Sequence, residues 1–279
     1  MIILFTRPIL FNLFGVPIGA ELIAHIIAFI VFFVLLYSWF KKENVFKRLS
    51  DFCLFAFFLL LFSFLFGRLS YWIYNWQGFN ALLLNFFNPF FAGIKSWGMI
   101  FGMGLTIPLF VFISKNIPPS LKVTYIRKIS DGLALYAGLS IFILRIGCFL
   151  DGHLAGRVSE LPFYVYKFGS NLHPVGIYLA LLGLVTFILL RMFFYNTKTN
   201  KSFFGKSFDG EVLMWFFVIY SFGRFWIEYL IVGHNYPVID IRFLTLSISQ
   251  IICILTFFFA SFFLFYYCYY RARKKQLSQ

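Results

Sequence analysis

Between Ile18 and Phe40 the chain carries one formally charged residue, Glu21, and similar apolar runs recur at Asp51–Phe66, Trp97–Ile113, Gly132–Leu150, Val175–Leu190, Val212–Ile231 and Ser247–Tyr267. A helix rising 1.5 Å per residue needs runs of this length to cross about 30 Å of hydrocarbon. With 61% hydrophobic and only 12% charged residues, the chain has too little polar surface to enclose seven such runs in a water-soluble core. Lipid offers backbone groups no hydrogen-bond partner, so these runs predict helices. The expected fold class is an all-α polytopic membrane protein with about seven transmembrane helices. No repeat, composition break or long linker divides the chain, which predicts one integral-membrane domain over residues 1–279.

Basic residues give the orientation. Lys41, Lys42, Lys47 and Arg48 follow the first run; Lys115, Lys122, Arg127 and Lys128 the third; Arg191, Lys198, Lys201 and Lys206 the fifth; and Arg271, Arg273, Lys274 and Lys275 the seventh. Positive segments stay on the cytoplasmic side. The alternation therefore predicts an external N-terminus, a cytoplasmic C-terminus and an external loop of about 151–174. The net charge of +14 is topological in origin, and no nucleic-acid partner is expected. Met1–Pro17 is expected at the outer interface and not as a cleaved signal peptide, since the apolar run behind it is too long for one. Cys53, Cys148, Cys253 and Cys268 show no metal-ligand spacing. They read as buried small hydrophobes, and no metal or cofactor is expected.

Two arginines break the apolar pattern at one depth. Arg145 lies about 13 residues into the fourth run and Arg224 about 12 into the sixth, so both are expected roughly 18–20 Å from the cytoplasmic side. A guanidinium there is unfavourable unless an anion compensates it, and its two-pronged geometry suits a phosphate. Two readings stay open: a shared anionic head group, or separate pairing with carboxylates and the interface. Tyr220, Arg224 and Glu228 fall at i, i+4 and i+8 on one helix face. Arginine N-terminal to glutamate is the weaker order for a helix pair, which favours partners on other helices. Arg68, at the outer end of the second run, reads as a head-group anchor. The loop holds glycine, proline, Arg157, His153 and His173, and irregular backbone of that kind suits a cavity mouth. Both histidines are candidates for moving a proton near neutral pH.

The segment Arg145-Ile146-Gly147-Cys148-Phe149-Leu150-Asp151-Gly152-His153-Leu154-Ala155-Gly156 resembles the signature G-R-x-G-N-F-x-N-x-E-x-x-G of the prolipoprotein diacylglyceryl transferases. It matches at the arginine, Gly147, Phe149 and Gly156. The likeness extends to Gly67-Arg68-Leu69, Trp97-Gly98-Met99-Ile100-Phe101, Leu161-Pro162, His173-Pro174 with Tyr178, the Tyr220, Arg224, Glu228 stripe, and Ser249-Gln250. Gly102 stands where the family has a histidine, Cys148 and Asp151 replace its asparagines, and His153 replaces its glutamate. No clear counterpart of the family's early tyrosine stands near Glu21, Leu22 and His25.

The resemblance implies transfer of a diacylglyceryl group from phosphatidylglycerol to the lipobox cysteine of prolipoprotein signal peptides, in the bilayer of the bacterial inner membrane. It implies catalytic roles for His153, Arg224, Glu228 and Tyr220, and substrate-binding roles for Arg145, Arg157, Arg68 and Tyr178. His153 or Asp151 would replace the missing basic group, and restoring the family arrangement would require Gly102→His. The alternatives are a divergent paralogue with another acceptor and a non-catalytic phospholipid-binding membrane protein.

Overall fold

The computed structural model describes residues 2–4, 9–13, 16–46, 48–74, 96–114, 117–151, 155–160, 164–167, 170–194, 201–202, 205–206, 208–231, 242–243 and 246–276. Every apolar run becomes a helix: α1 Ala20–Lys42, α2 Leu49–Tyr74, α3 Ser96–Ile113, α4 Lys122–Leu150, α5 Val175–Leu189, α6 Glu211–Ile231 and α7 Ile248–Gln276. Among the described residues, α1, α2, α4, α5 and α7 contain segments long and apolar enough to cross a membrane, and α3 is a shorter apolar helix. Leu255, Phe258, Phe262 and Phe265 on α7 are each about two-thirds exposed. A face of that kind belongs in hydrocarbon. The chain is an all-α polytopic membrane protein.

It divides into two compact units. One comprises residues 37–130 and is built on the antiparallel pair α2 and α3. Gly98 and Gly102, one turn apart on α3, set the spacing: a Cβ at Gly98 would lie 2.2 Å from the Phe66 carbonyl oxygen, and one at Gly102 would lie 2.4 Å from that of Phe62. Small residues at this interval let helix backbones touch, and packing drives helix association in lipid. Phe40, Phe46, Phe52, Phe55 and Phe110 close one end of the unit through ring contacts of 5.0–6.2 Å.

The other unit comprises residues 1–36 and 131–279. Within it α4 meets α1 at Gly147, where a Cβ would lie 2.3 Å from that of Ala24. It meets α5 where Gly138 and Gly183 face each other's carbonyl oxygens. The loop expected to be irregular contains strands instead. Within this unit β1 (Ile2–Leu4), β4 (Ala155–Val158), β5 (Tyr164–Lys167) and β6 (Ser170–Pro174) form one sheet in the order β1-β5-β6-β4. Pairing satisfies backbone groups that a bare loop would leave to water or lipid. The parallel β1–β5 pair also puts the N-terminal strand on the same side as the 151–174 segment.

Candidate functional site

Helices α4 and α6 run in the same direction and are pinned at both ends. At the lower end the buried Asp131 carboxylate accepts the N–H groups of Gly210 at 2.6 Å and Leu213 at 2.9 Å, capping α6 from a neighbouring helix. Gly210 has φ 98°, a left-handed conformation that glycine adopts without strain. At the upper end Gly156, just beyond α4, packs on α6 so closely that a Cβ would sit 2.4 Å from the Leu230 carbonyl oxygen. From the level of Asp131, Arg145 stands 14 residues up α4, and from the first residue of α6 Arg224 stands 13 up. Both guanidiniums therefore lie about 20 Å above that level.

Arg224 is held from its own helix. Its Nη2 lies 2.7 Å from Glu228 Oε2, with the two side chains 17% and 9% exposed. The less favoured order thus closes as an i,i+4 pair after all, because an unpaired carboxylate buried at Glu228 would be worse than imperfect helix geometry. Arg224 Nη1 is buried and has no hydrogen-bond partner among the described residues, and the same holds for Gln250 Nε2 on α7. Gln250 Oε1 accepts the Ser247 N–H at 3.0 Å, and Ser247 Oγ accepts the Gln250 N–H. This capping box anchors the Gln250 side chain at the start of α7. Cys253, one turn later, lies in the field of both Arg224 and Glu228. Tyr220 stacks its ring on Phe216 at 5.4 Å and makes no hydrogen bond to Arg224 among the described residues.

Arg145 has a different set of neighbours. Its Nη1 points at Cys148 Sγ, 4.0 Å away, and the Cys148 thiol donates to Glu21 Oε1 at 3.2 Å. Cys148 and Cys253 are buried as expected of small hydrophobes, whereas Cys53 and Cys268 are exposed on apolar helices; Cys148 works as the middle of a polar chain between α4 and α1. Asp151, a sequence candidate for the missing basic group, is committed elsewhere. Its oxygens accept the Ala20 N–H at 3.1 Å and the Glu21 N–H at 3.2 Å, capping α1. Next to this cluster an apolar cavity of about 270 Å³ lies between α1 and α4, lined by residues including Ile23, Ile27, Ile143 and Ile146.

The remaining sequence candidates are scattered. His153 lies outside the described residues. Arg157 is exposed on β4, beneath which α4 ends. Tyr178 hydrogen-bonds through its hydroxyl to His173 Nδ1 at 3.2 Å, and burial lowers the His173 imidazole below its ordinary value. Arg68 is not at a helix end, since α2 continues to Tyr74; it is buried in the first unit with its guanidinium 5.4 Å from the Phe64 ring centroid. A tail of apolar and aromatic residues, Leu69–Tyr74, extends the helix past the run read from hydropathy. Glu21 stands out in the sequence only as the single charge of its run, and Gln250 only through the Ser-Gln pair. Among the described residues no cluster of His, Cys, Asp or Glu is arranged to hold a metal.

Arg145 on α4 and Arg224 on α6 thus place two guanidiniums within the helical part of this membrane protein, one of them with a buried nitrogen that has no hydrogen-bond partner among the described residues. The model of the prolipoprotein diacylglyceryl transferase family matches residues 8–266, and the chain belongs to that family. It is similar to a phosphatidylglycerol–prolipoprotein diacylglyceryl transferase of Campylobacter curvus, 30% identical over 90% of both chains. It is also similar to one of Campylobacter lari, 30% identical over 71% of this chain and 66% of the relative. A Clostridioides difficile transferase of the same name is 28% identical over 58% of each chain. The chain is accordingly a transferase of lipoprotein biosynthesis.

Proposed function

We infer that the chain transfers the diacylglyceryl group of phosphatidylglycerol to the cysteine thiol of a prolipoprotein lipobox, forming a thioether and releasing glycerol phosphate. It does so as one seven-span domain in the bacterial inner membrane, with its N-terminus outside, its C-terminus in the cytoplasm and the site in the outer leaflet. The observation that carries the reading is Arg224: Glu228 holds one terminal nitrogen, and the other is buried without an acceptor among the described residues. A preoriented donor of this kind suits a phosphate that gains charge as its ester bond breaks. Arg145 serves the same phosphate from the matching level of α4. Glu228 orients Arg224, Arg157 meets the head group at the external face, and Tyr178 contacts the lipid with its hydroxyl fixed by His173. Arg68 is a further lipid-binding candidate from the sequence, while Tyr220 acts through the packing of α6. His153 is the sequence's candidate for the proton acceptor.

The test uses the purified full chain in vesicles of phosphatidylglycerol with a peptide carrying a lipobox cysteine. Transfer should add one diacylglyceryl group to the peptide and release one glycerol phosphate per product. Vesicles of phosphatidylethanolamine should give far less product. Folded protein that forms no thioether in phosphatidylglycerol would overturn the reading and favour a non-catalytic lipid-binding role.

A further inference from the structure

We propose that Glu21 is the proton acceptor for the incoming substrate thiol, an inference that rests on the transferase reading above. Its basis is a local geometry in which a thiol is already engaged. Cys148 Sγ donates to Glu21 Oε1 at 3.2 Å, and the same sulfur lies 4.0 Å from Arg145 Nη1. The Glu21 carboxylate thus accepts a thiol S–H close to the Arg145 guanidinium, the pairing of base and cation that proton transfer from a thiol calls for.

The position of Glu21 is fixed. Asp151 accepts its backbone N–H and that of Ala20, and α4 packs closely against the first turn of α1, since a Cβ at Gly147 would lie 3.2 Å from the Glu21 Cα. The titratable and charged groups against Glu21 include Cys148 and Asp151 from α4, with Arg145 beyond Cys148, and His25 from α1. His25 Nδ1 is bonded to the Glu21 carbonyl oxygen at 2.7 Å, and Asp151 is occupied as a cap. The family's histidine is not available as the base, since Gly102 takes its place and the Phe62 backbone occupies the space a side chain there would need.

The step balances. The substrate S–H proton passes to the Glu21 carboxylate, and the thiolate sulfur attacks the glyceryl carbon bonded to the phosphate ester oxygen. The new C–S bond forms as the C–O bond breaks, and its electron pair leaves with glycerol phosphate, which the arginines hold. Cys148 is not the acceptor, because an alkyl thioether formed on it would have no leaving group for a second transfer. It orients the carboxylate.

The test is Glu21→Gln in the vesicle assay, across pH 6 to 10, with His153→Ala measured beside it. Glutamine keeps an oxygen for the Cys148 thiol but cannot accept a proton. Turnover near neutral pH should fall about 10²–10⁴-fold, the worth of a positioned base, with the KM for lipid unchanged. Activity should return as the pH passes the free-thiol pKa of about 8.5, where substrate arrives ionised. A variant within threefold of wild type at neutral pH, or one whose deficit is equal at every pH, would overturn the proposal. So would a pH-rescued loss seen in His153→Ala and not in Glu21→Gln. If Glu21→Gln does not fold, Glu21→Asp decides by the same readout, since a shortened base loses turnover that high pH restores and a merely structural contact does not. Wild-type protein inactive at every pH overturns the transferase reading and the proposal with it, whereas active wild type with an indifferent Glu21→Gln overturns the proposal alone.

Discussion

Arg224→Lys separates a two-pronged role from simple charge. In the structure one terminal nitrogen of Arg224 pairs with Glu228 at 2.7 Å, and the other is buried and still able to donate. Lysine has a single nitrogen on a flexible stem, which can satisfy Glu228 or the lipid phosphate but not both with the same geometry. The buried glutamate will claim it, since an uncompensated carboxylate at 7% exposure is the more unfavourable outcome. The substitution therefore removes one charge-assisted hydrogen bond to the phosphate, worth about 1.5–3 kcal/mol. At 1.36 kcal/mol per tenfold, kcat/KM should fall about 10- to 150-fold. The assay is initial-rate transfer from phosphatidylglycerol vesicles to a lipobox peptide, with a thermal melt of the same preparation to confirm folding. Wild-type kcat/KM in Arg224→Lys would refute the reasoning, because charge alone would then suffice.

Arg145→Lys should abolish transfer with little loss of folded protein, and normal thioether formation by that variant would remove Arg145 from the phosphate site. Gly102→His should lower the melting temperature in detergent and fail to raise activity: its Cβ would lie 2.4 Å from the Phe62 carbonyl oxygen, and overpacking of this kind costs about 1–3 kcal/mol. A stable, more active Gly102→His protein would show that α2 and α3 can part there. A reporter fused after Gln279 should read as cytoplasmic and one inserted near Ser170 as external, and the reverse pattern would move the site to the other leaflet. Because burial lowers the His173 pKa on folding, the unfolded chain binds the proton first as pH falls below about 6.5, so stability drops with acidification there. Wild type should therefore lose more melting temperature between pH 7 and pH 5 than His173→Asn, and equal losses would refute the assignment.

Partition into lipid is decided residue by residue, and for that reason the sequence determined the apolar helices, the membrane class and the two arginines that do not belong in hydrocarbon. Helix rise is a constant, so counting residues also put Arg145 and Arg224 at one depth. Asp131 at one end and Gly156 at the other hold α4 and α6 together. The partners of those arginines were not legible in the same way. Cys148 and Glu21 are 127 positions apart, and Asp151 caps a helix 131 positions away; such contacts depend on which helices pack and at what rotation. Glycines set that packing through contacts a sequence pattern does not reveal, as at Gly147 against Ala24 and Gly102 against Phe62. Hydropathy likewise placed Arg68 at a helix end because an arginine interrupts an apolar count, while in the fold α2 runs on to Tyr74 and buries it against Phe64. The sequence thus determined which segments form apolar helices and where charges interrupt them, and the tertiary structure alone decided which carboxylate and which sulfur stand beside those charges, because side-chain partnerships across helices are fixed by packing and not by composition.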